Sequence, residues 1–225
     1  MKTEAADSEE SEEIPRAPAK KGVTPSKSPY VGTMYKLEFA GKLVIKVPRG
    51  VIDKHVAFAA HFADRHIDLT EMNESQAHIL IHYLYTGNYQ SLEPEADSPE
   101  EKRAKAFAVS LWVYSAAVEY HLEHLAVLAS VELTKLGEGL TFPELFRIMD
   151  REEYCLGEDE AWLAGYLVKR GERYSEHVTH DYAKSLRAEI GEKRTLVNIL
   201  IENIVDLKLL VQFQRTLLDN ELGRG

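Results

Sequence analysis

The sequence contains little of what would mark several large classes of protein. It has a single cysteine, Cys155, in 225 residues, so no intrachain disulfide can form and a reducing compartment is expected. No apolar run approaches the roughly 18 residues that a membrane-spanning helix needs. The acidic start of the chain predicts neither a secretory signal nor a transit peptide. We therefore expect a soluble protein of the cytoplasm, the nucleus or both, with no membrane partner.

Basic residues are also in short supply. The chain has 27 lysines and arginines against 37 aspartates and glutamates, which gives a net charge of −10 at pH 7. Binding to a nucleic-acid backbone needs a basic face that neutralises phosphates. Nucleic acid is therefore not expected as the main partner.

The motifs of common enzymes are missing as well. No glycine-rich phosphate loop, nucleophile elbow or dinucleotide fingerprint is present. His78 and His82 lie four residues apart, a spacing that can share a metal on a helix, but no cysteine pair or carboxylate cluster completes a site. The acids beside Cys155 disfavour a thiolate. We expect no enzymatic activity, no catalytic residue, no metal and no cofactor.

Three regions can be separated by composition. Residues 1–29 hold four of the eight prolines and few large apolar residues, which predicts a disordered, charged tail. This tail is interpreted as a solvated segment, with a regulated tail or a nuclear-import segment as alternatives. Residues 30–130 form the second region and residues 131–225 the third.

Residues 30–130 combine the patterns of strands and helices. Apolar side chains alternate with polar ones before and after Gly41, which predicts a hairpin that ends at Pro48. Helical spacing runs from Val51 to Phe62, and His66–Leu69 is a short strand candidate. Asn73 and Gln76 predict a capped helix. A charged loop at 91–105 then leads into two helices, so we predict an α+β domain with a small sheet covered by helical hairpins.

Residues 131–225 read as all-helical. Thr141 and Glu144 form a capping-box pattern, and further helices are predicted around 158–170 and around Val178, Tyr182 and Leu186. The most regular apolar spacing covers about six turns from Leu196 to Leu218. This last helix could face a core, or it could bind a partner or form a coiled coil.

Two segments of the second region resemble a known family. Residues 83–89 read Tyr-Leu-Tyr-Thr-Gly-Asn-Tyr, and residues 111–125 read as an apolar and aromatic helix followed by Glu-Tyr, a short turn and a second helix. In this order they are similar to the BTB/POZ domains of filamentous fungi. The resemblance implies a BTB/POZ-like fold for residues 30–130 and a helical C-terminal extension after it.

The same resemblance implies a function in protein–protein interaction. By position it places Phe58, Phe62, Asp64 and Tyr89 on a partner face, although Phe58 and Phe62 could also be core residues. The first hypothesis is an adaptor such as a substrate adaptor of a cullin-RING ubiquitin ligase, with a cullin as partner. The alternative is a self-associating scaffold in a nuclear or signalling assembly. A monomer or a weak homodimer is expected because the segment ahead of the hairpin is rich in proline.

Overall fold

The computed structural model describes residue 28, residues 30–172, residues 179–181, 183, 184 and 187, and residues 196–221. The predicted tail, apart from residue 28, lies outside the described residues, and so do Val178, Tyr182 and Leu186, around which a further helix was predicted. Within the described part, a small sheet is combined with helices that make up most of the chain. The predicted α+β class is thereby confirmed.

The sheet has three strands in the order β2-β1-β3. The strands are β1 (Met34–Phe39), β2 (Leu43–Pro48) and β3 (His66–Leu69). The predicted hairpin joins β1 and β2 in antiparallel register, and its turn places Gly41 at φ 68° and Lys42 at φ 65°. β3 pairs with β1 in parallel. Leu37 and Phe39 are fully buried, so one face of the hairpin meets the core as the alternation predicts.

Eight α-helices have both ends within the described residues. They are α1 (Arg49–Ile52), α2 (Val56–Ala59), α3 (Glu74–Thr86), α4 (Pro99–Glu119), α5 (Glu123–Glu138), α6 (Phe142–Arg151), α7 (Ala161–Glu172) and α8 (Leu196–Glu221). The single helix expected from Val51 to Phe62 is in fact two. It breaks at His55, whose backbone leaves the helical range at φ −116° and ψ 73°. In this position the His55 ring packs 5.2 Å from the ring of Tyr83.

Local capping signals fix the helix starts. The capping boxes predicted at Asn73 and at Thr141 are both present, and each satisfies backbone N–H groups that the first helical turn leaves unpaired. The loop predicted to last until residue 105 is shorter than expected, because α4 already begins at Pro99. There the hydroxyl of Ser98 accepts the N–H of Glu101 at 3.0 Å. Proline at the first helical position adds to this start signal.

One cluster of buried side chains runs from the sheet to α7. Its fully buried large members include Leu37, Phe39, Ile52, Phe58, Ile79, Phe107, Leu111, Leu133, Leu145 and Leu163. The cluster therefore contains residues from both sides of the predicted boundary at residue 130, and that boundary stays a prediction. Gly137, near the end of α5, faces the hydroxyl end of Tyr166 on α7, and a Cβ at this position would overlap that hydroxyl.

Among the described helices, none is both long enough and apolar enough to cross a bilayer.

Candidate interaction surfaces

Phe58 and Phe62 belong to one aromatic cluster. The Phe58 ring is fully buried and packs edge-on against Phe62 at 5.3 Å and against Tyr120 at 5.8 Å, measured between centroids. Phe62 is half-buried and packs edge-on against Tyr35 at 4.8 Å. Such edge-to-face pairs favour cohesion beyond the buried area alone. The cluster joins α2 to β1 and to the end of α4, and Phe58 has no surface to offer a partner.

Asp64 and Tyr89 lie in different surroundings. Asp64 is exposed and, at φ 47°, occupies a tight turn closed by backbone hydrogen bonds between Ala63 and His66 of 2.8 and 2.9 Å. Tyr89 is half-buried, and its hydroxyl lies 2.9 Å from the hydroxyl of Ser110 on α4. Burial raises the pKa of Tyr89 to about 12. Of the four residues predicted on a partner face, Phe58 and Phe62 contact each other, whereas Tyr89 contacts α4. A partner role for Phe62, Asp64 or Tyr89 stays a prediction.

His78 and His82 are the candidate metal ligands of the sequence, and Cys155 is its candidate nucleophile. The rings of His78 and His82 stack at 6.1 Å with an interplanar angle of 21°. In the part of the chain that the structure describes, no three histidine, cysteine or acidic side chains are grouped closely enough to hold a metal. Cys155 is exposed. The expectation of a non-enzymatic protein stays a prediction.

An apolar groove lies between the outer strand of the sheet and α3. Its volume is about 530 Å³. The main apolar side chains around it are Leu43, Ile45, Ala77, Ile81, Tyr85 and Leu92. Tyr30 stacks on Tyr85 at one end of the groove, with 6.3 Å between ring centroids. Because β2 is an outer strand, the groove opens at the edge of the sheet.

The last helix, α8, has two distinct apolar faces. One face packs on the body, where Val205 is buried and the amine of Lys208 lies 5.4 Å from the ring centre of Phe142 on α6. The other face carries six large apolar side chains, each exposed by 38–62%. We call these residues the outer face of α8: Leu207, Leu210, Val211, Phe213, Leu217 and Leu218.

The spacing of the outer face explains why it is a single surface. At 100° per residue, its six members fall within about half of the helix circumference, on the side opposite Val205. Sequence periodicity alone left two interpretations of this helix, a core-facing one and a partner-binding one. In the structure Val205 faces the body, whereas the six residues of the outer face are exposed. The position of α6, which sequence spacing does not give, sets Phe142 against the Lys208 side of the helix.

Comparison with known proteins finds, in the middle of the chain, a match to a family different from the expected one. Residues 47–140 match the family described as the HAC6 N-terminal domain. This match covers less than half of the 225-residue chain, from the end of β2 to the residues just before α6. No solved structure matches the chain.

Two curated relatives come from the fungus Aspergillus fumigatus, one from strain CBS 144.89 and one from strain ATCC MYA-4609. Each is named a Subtelomeric hrmA-associated cluster protein and is 37% identical to this chain over 105 residues. The aligned part is 45% of this chain and 26% of each relative. The chain therefore spans about a quarter of the length of these relatives, and their names state no molecular activity.

The comparisons overturn the BTB/POZ resemblance. Both segments that carried it, residues 83–89 and 111–125, lie inside the region that matches the HAC6 N-terminal domain, and no BTB/POZ family matches. The fungal character implied by that resemblance agrees with the source of the two relatives. The ubiquitin-ligase assignment and the cullin partner rested on the resemblance alone, so they lose their support.

Proposed function

We propose that this protein is a non-enzymatic protein-interaction module that binds a partner protein through the outer face of α8. The observation that carries the proposal is the set of six large apolar side chains, exposed by 38–62%, on the side of the helix away from the body. Contiguous apolar patches larger than a few hundred Å² are rare on monomeric proteins and mark interaction sites.

The apolar side chains of the outer face suit a helix that lies in a groove of the partner protein. Helix-in-groove recognition uses apolar anchors at positions i, i+3, i+4 and i+7, and Leu210, Phe213 and Leu217 stand at positions i, i+3 and i+7 of this pattern. Full burial of a large apolar side chain is worth about 1.5–3 kcal/mol, and these side chains are roughly half exposed. The six together offer on the order of 5–9 kcal/mol from one side of an interface. The partner's own apolar side adds to this figure, and the cost of association, roughly 4–15 kcal/mol, subtracts from it, so we expect binding of moderate affinity.

The proposal is tested with single glutamates at neighbouring positions of α8. Leu217→Glu places a charge in the outer face, whereas Thr216→Glu adds the same charge outside that face at an exposed position. Tagged forms of the wild type and of both variants are purified from cells that express the protein. Proteins that co-purify are measured by quantitative mass spectrometry, and binding of the strongest candidate is repeated with purified components.

We expect Leu217→Glu to lose the partner and Thr216→Glu to keep it. Both variants should melt within a degree or two of the wild type, because neither side chain is buried in the free protein. The proposal is wrong if a purified partner binds the wild type and Leu217→Glu equally well. It is also wrong if the wild type retains no protein above the level of Leu217→Glu.

We further propose a cytoplasmic or nuclear location, which the single and exposed Cys155 supports. Fluorescence imaging of the tagged chain tests this location independently of binding, and a signal confined to secretory compartments would contradict it. The alternative function, a self-associating scaffold, is supported by a different part of the molecule, the outer edge of β2.

A further inference from the structure

The outer edge of β2 carries backbone groups whose direction can be worked out from the sheet. Lys36 donates its backbone N–H to the carbonyl of Arg65 at 2.8 Å, so the backbone N–H and C=O of Lys36 face β3. Backbone groups alternate sides along a strand. Tyr35, Leu37 and Phe39 therefore bond to β2, where their register partners are Val47, Ile45 and Leu43.

It follows that Val44 and Lys46 direct their N–H and C=O groups away from the sheet. Both residues are exposed. No backbone hydrogen bond between described residues reaches this side of β2. Four backbone groups are thus open to a further strand, and an open edge of this kind is a template for strand addition.

We propose that a second copy of this chain binds here, with the two β2 strands antiparallel and each Ile45 opposite the Ile45 of the copy. A two-fold axis at Ile45 sets Val44 opposite the copy's Lys46 and Lys46 opposite the copy's Val44. All four outward groups of each strand then bond to the copy at once. The edge is self-complementary in this register, and a two-fold interface requires such complementarity.

Charge and backbone shape disfavour the neighbouring registers. If the centre of the pairing moves one residue toward Pro48, Lys46 lies directly opposite the Lys46 of the copy. Like charges in this position destabilise a pair of strands. A shift toward the hairpin brings Lys42 into the ladder, but its φ of 65° is not that of a strand. Pro48 has no N–H to donate. The pairing is therefore short and centred on Ile45.

The groove next to the edge adds an apolar component. Leu43 and Ile45 are only half-buried and line this groove, which has a volume of about 530 Å³ and opens at the strand edge. In the proposed pair, the Ile45 side chain of the copy lies beside them on the same face of the sheet. Backbone bonds over so few residues place the interface at the small end of the known range. A weak dimer is the expected result.

The test exploits the pairing of position 44 with Lys46. Val44→Lys places two positive charges opposite each other twice in the dimer, and Val44→Glu places opposite charges there instead. Val44→Ala is the matched control. Sedimentation equilibrium of the full chain from roughly 1 to 300 µM at low salt gives the dimer dissociation constant of each form. Melting temperatures are measured alongside, because Glu38 lies opposite position 44 on β1.

We expect a wild-type dimer that Val44→Lys weakens at least tenfold, Val44→Ala leaves within about twofold, and Val44→Glu strengthens. Val44→Pro, which removes an outward N–H without removing a bond to β1, should weaken it as well. Leu43, the residue before it, already has the extended backbone that proline requires, with φ −67° and ψ 120°.

A wild type that stays monomeric at every concentration overturns the proposal. So does a dimer whose dissociation constant is the same for Val44→Lys and Val44→Glu. This inference does not rest on the function proposed for α8, and the Leu217→Glu variant separates the two. The Leu217→Glu variant should dimerise like the wild type. If Leu217→Glu abolished the dimer and the Val44 variants left it intact, pairing at β2 would be refuted.

Discussion

Replacement of Phe58 distinguishes a core residue from a partner-facing one. The Phe58 side chain is fully buried and touches two other aromatic rings, those of Phe62 and Tyr120. Phe58→Ala removes the ring and leaves a cavity, because the side chains around it can relax only in part. Substitutions of this kind cost about 3–5 kcal/mol of the free energy of unfolding. For a domain of 150–250 residues, each kcal/mol corresponds to about 2–4 °C, so we expect a melting temperature lower by about 6–20 °C.

The same short helix supplies the control. Val56 lies two residues before Phe58 on α2 and is 78% exposed. Val56→Ala should therefore change the free energy of unfolding by no more than about 0.5 kcal/mol. Both variants are unfolded in urea, followed by far-ultraviolet circular dichroism and by the fluorescence of Trp112 and Trp162. The slope of the transition should be the same in all three proteins, since the extent of unfolding is the same.

A loss below about 1 kcal/mol in Phe58→Ala would refute the assignment of Phe58 to the core. A cost for Val56→Ala as large as that for Phe58→Ala would refute it too, because it would mean that α2 as a whole, rather than the buried ring, determines stability.

Three further predictions concern single contacts. Tyr89→Phe removes the hydroxyl that meets Ser110 and should cost about 1 kcal/mol of the free energy of unfolding in urea. Asn73→Ala removes the side-chain acceptor of the capping box and should cost about 1 kcal/mol by the same assay, with no shift in the far-ultraviolet spectrum. Burial lowers the pKa of His55, so the unfolded chain binds a proton more readily than the folded one. Stability should therefore fall as pH drops from about 7 to 5, and His55→Gln should flatten this part of the profile; an unchanged slope would count against it.

Sequence reasoning succeeded where the deciding residues are close together in the chain. The hairpin follows from alternation on both sides of Gly41, and the starts of α3 and α6 follow from capping pairs three residues apart. Each of these signals is satisfied by neighbours, so no tertiary information is needed. The early start of α4 was available in the same way, from Ser98 followed by Pro99, but the charged composition of that segment indicated a loop.

The remaining features depend on contacts between distant parts of the chain. Tyr89 bonds to Ser110, 21 residues away, and no local pattern indicates that pair. The break at His55 and the outward direction of half of α8 also depend on what packs alongside. The mistaken family resemblance has a related cause, since short apolar and aromatic segments reflect the packing of helices, and proteins of different families share such segments.

Gly137 sets how closely the Tyr166 side chain can approach the end of α5. A Cβ at this position would overlap the Tyr166 hydroxyl, and the Tyr166 ring also stacks on Trp162 at 5.4 Å. Any other residue at position 137 therefore requires the Tyr166 side chain to shift. A chain related over residues 47–140 that carries a larger residue in place of Gly137 should hold the side chain equivalent to Tyr166 in a different position.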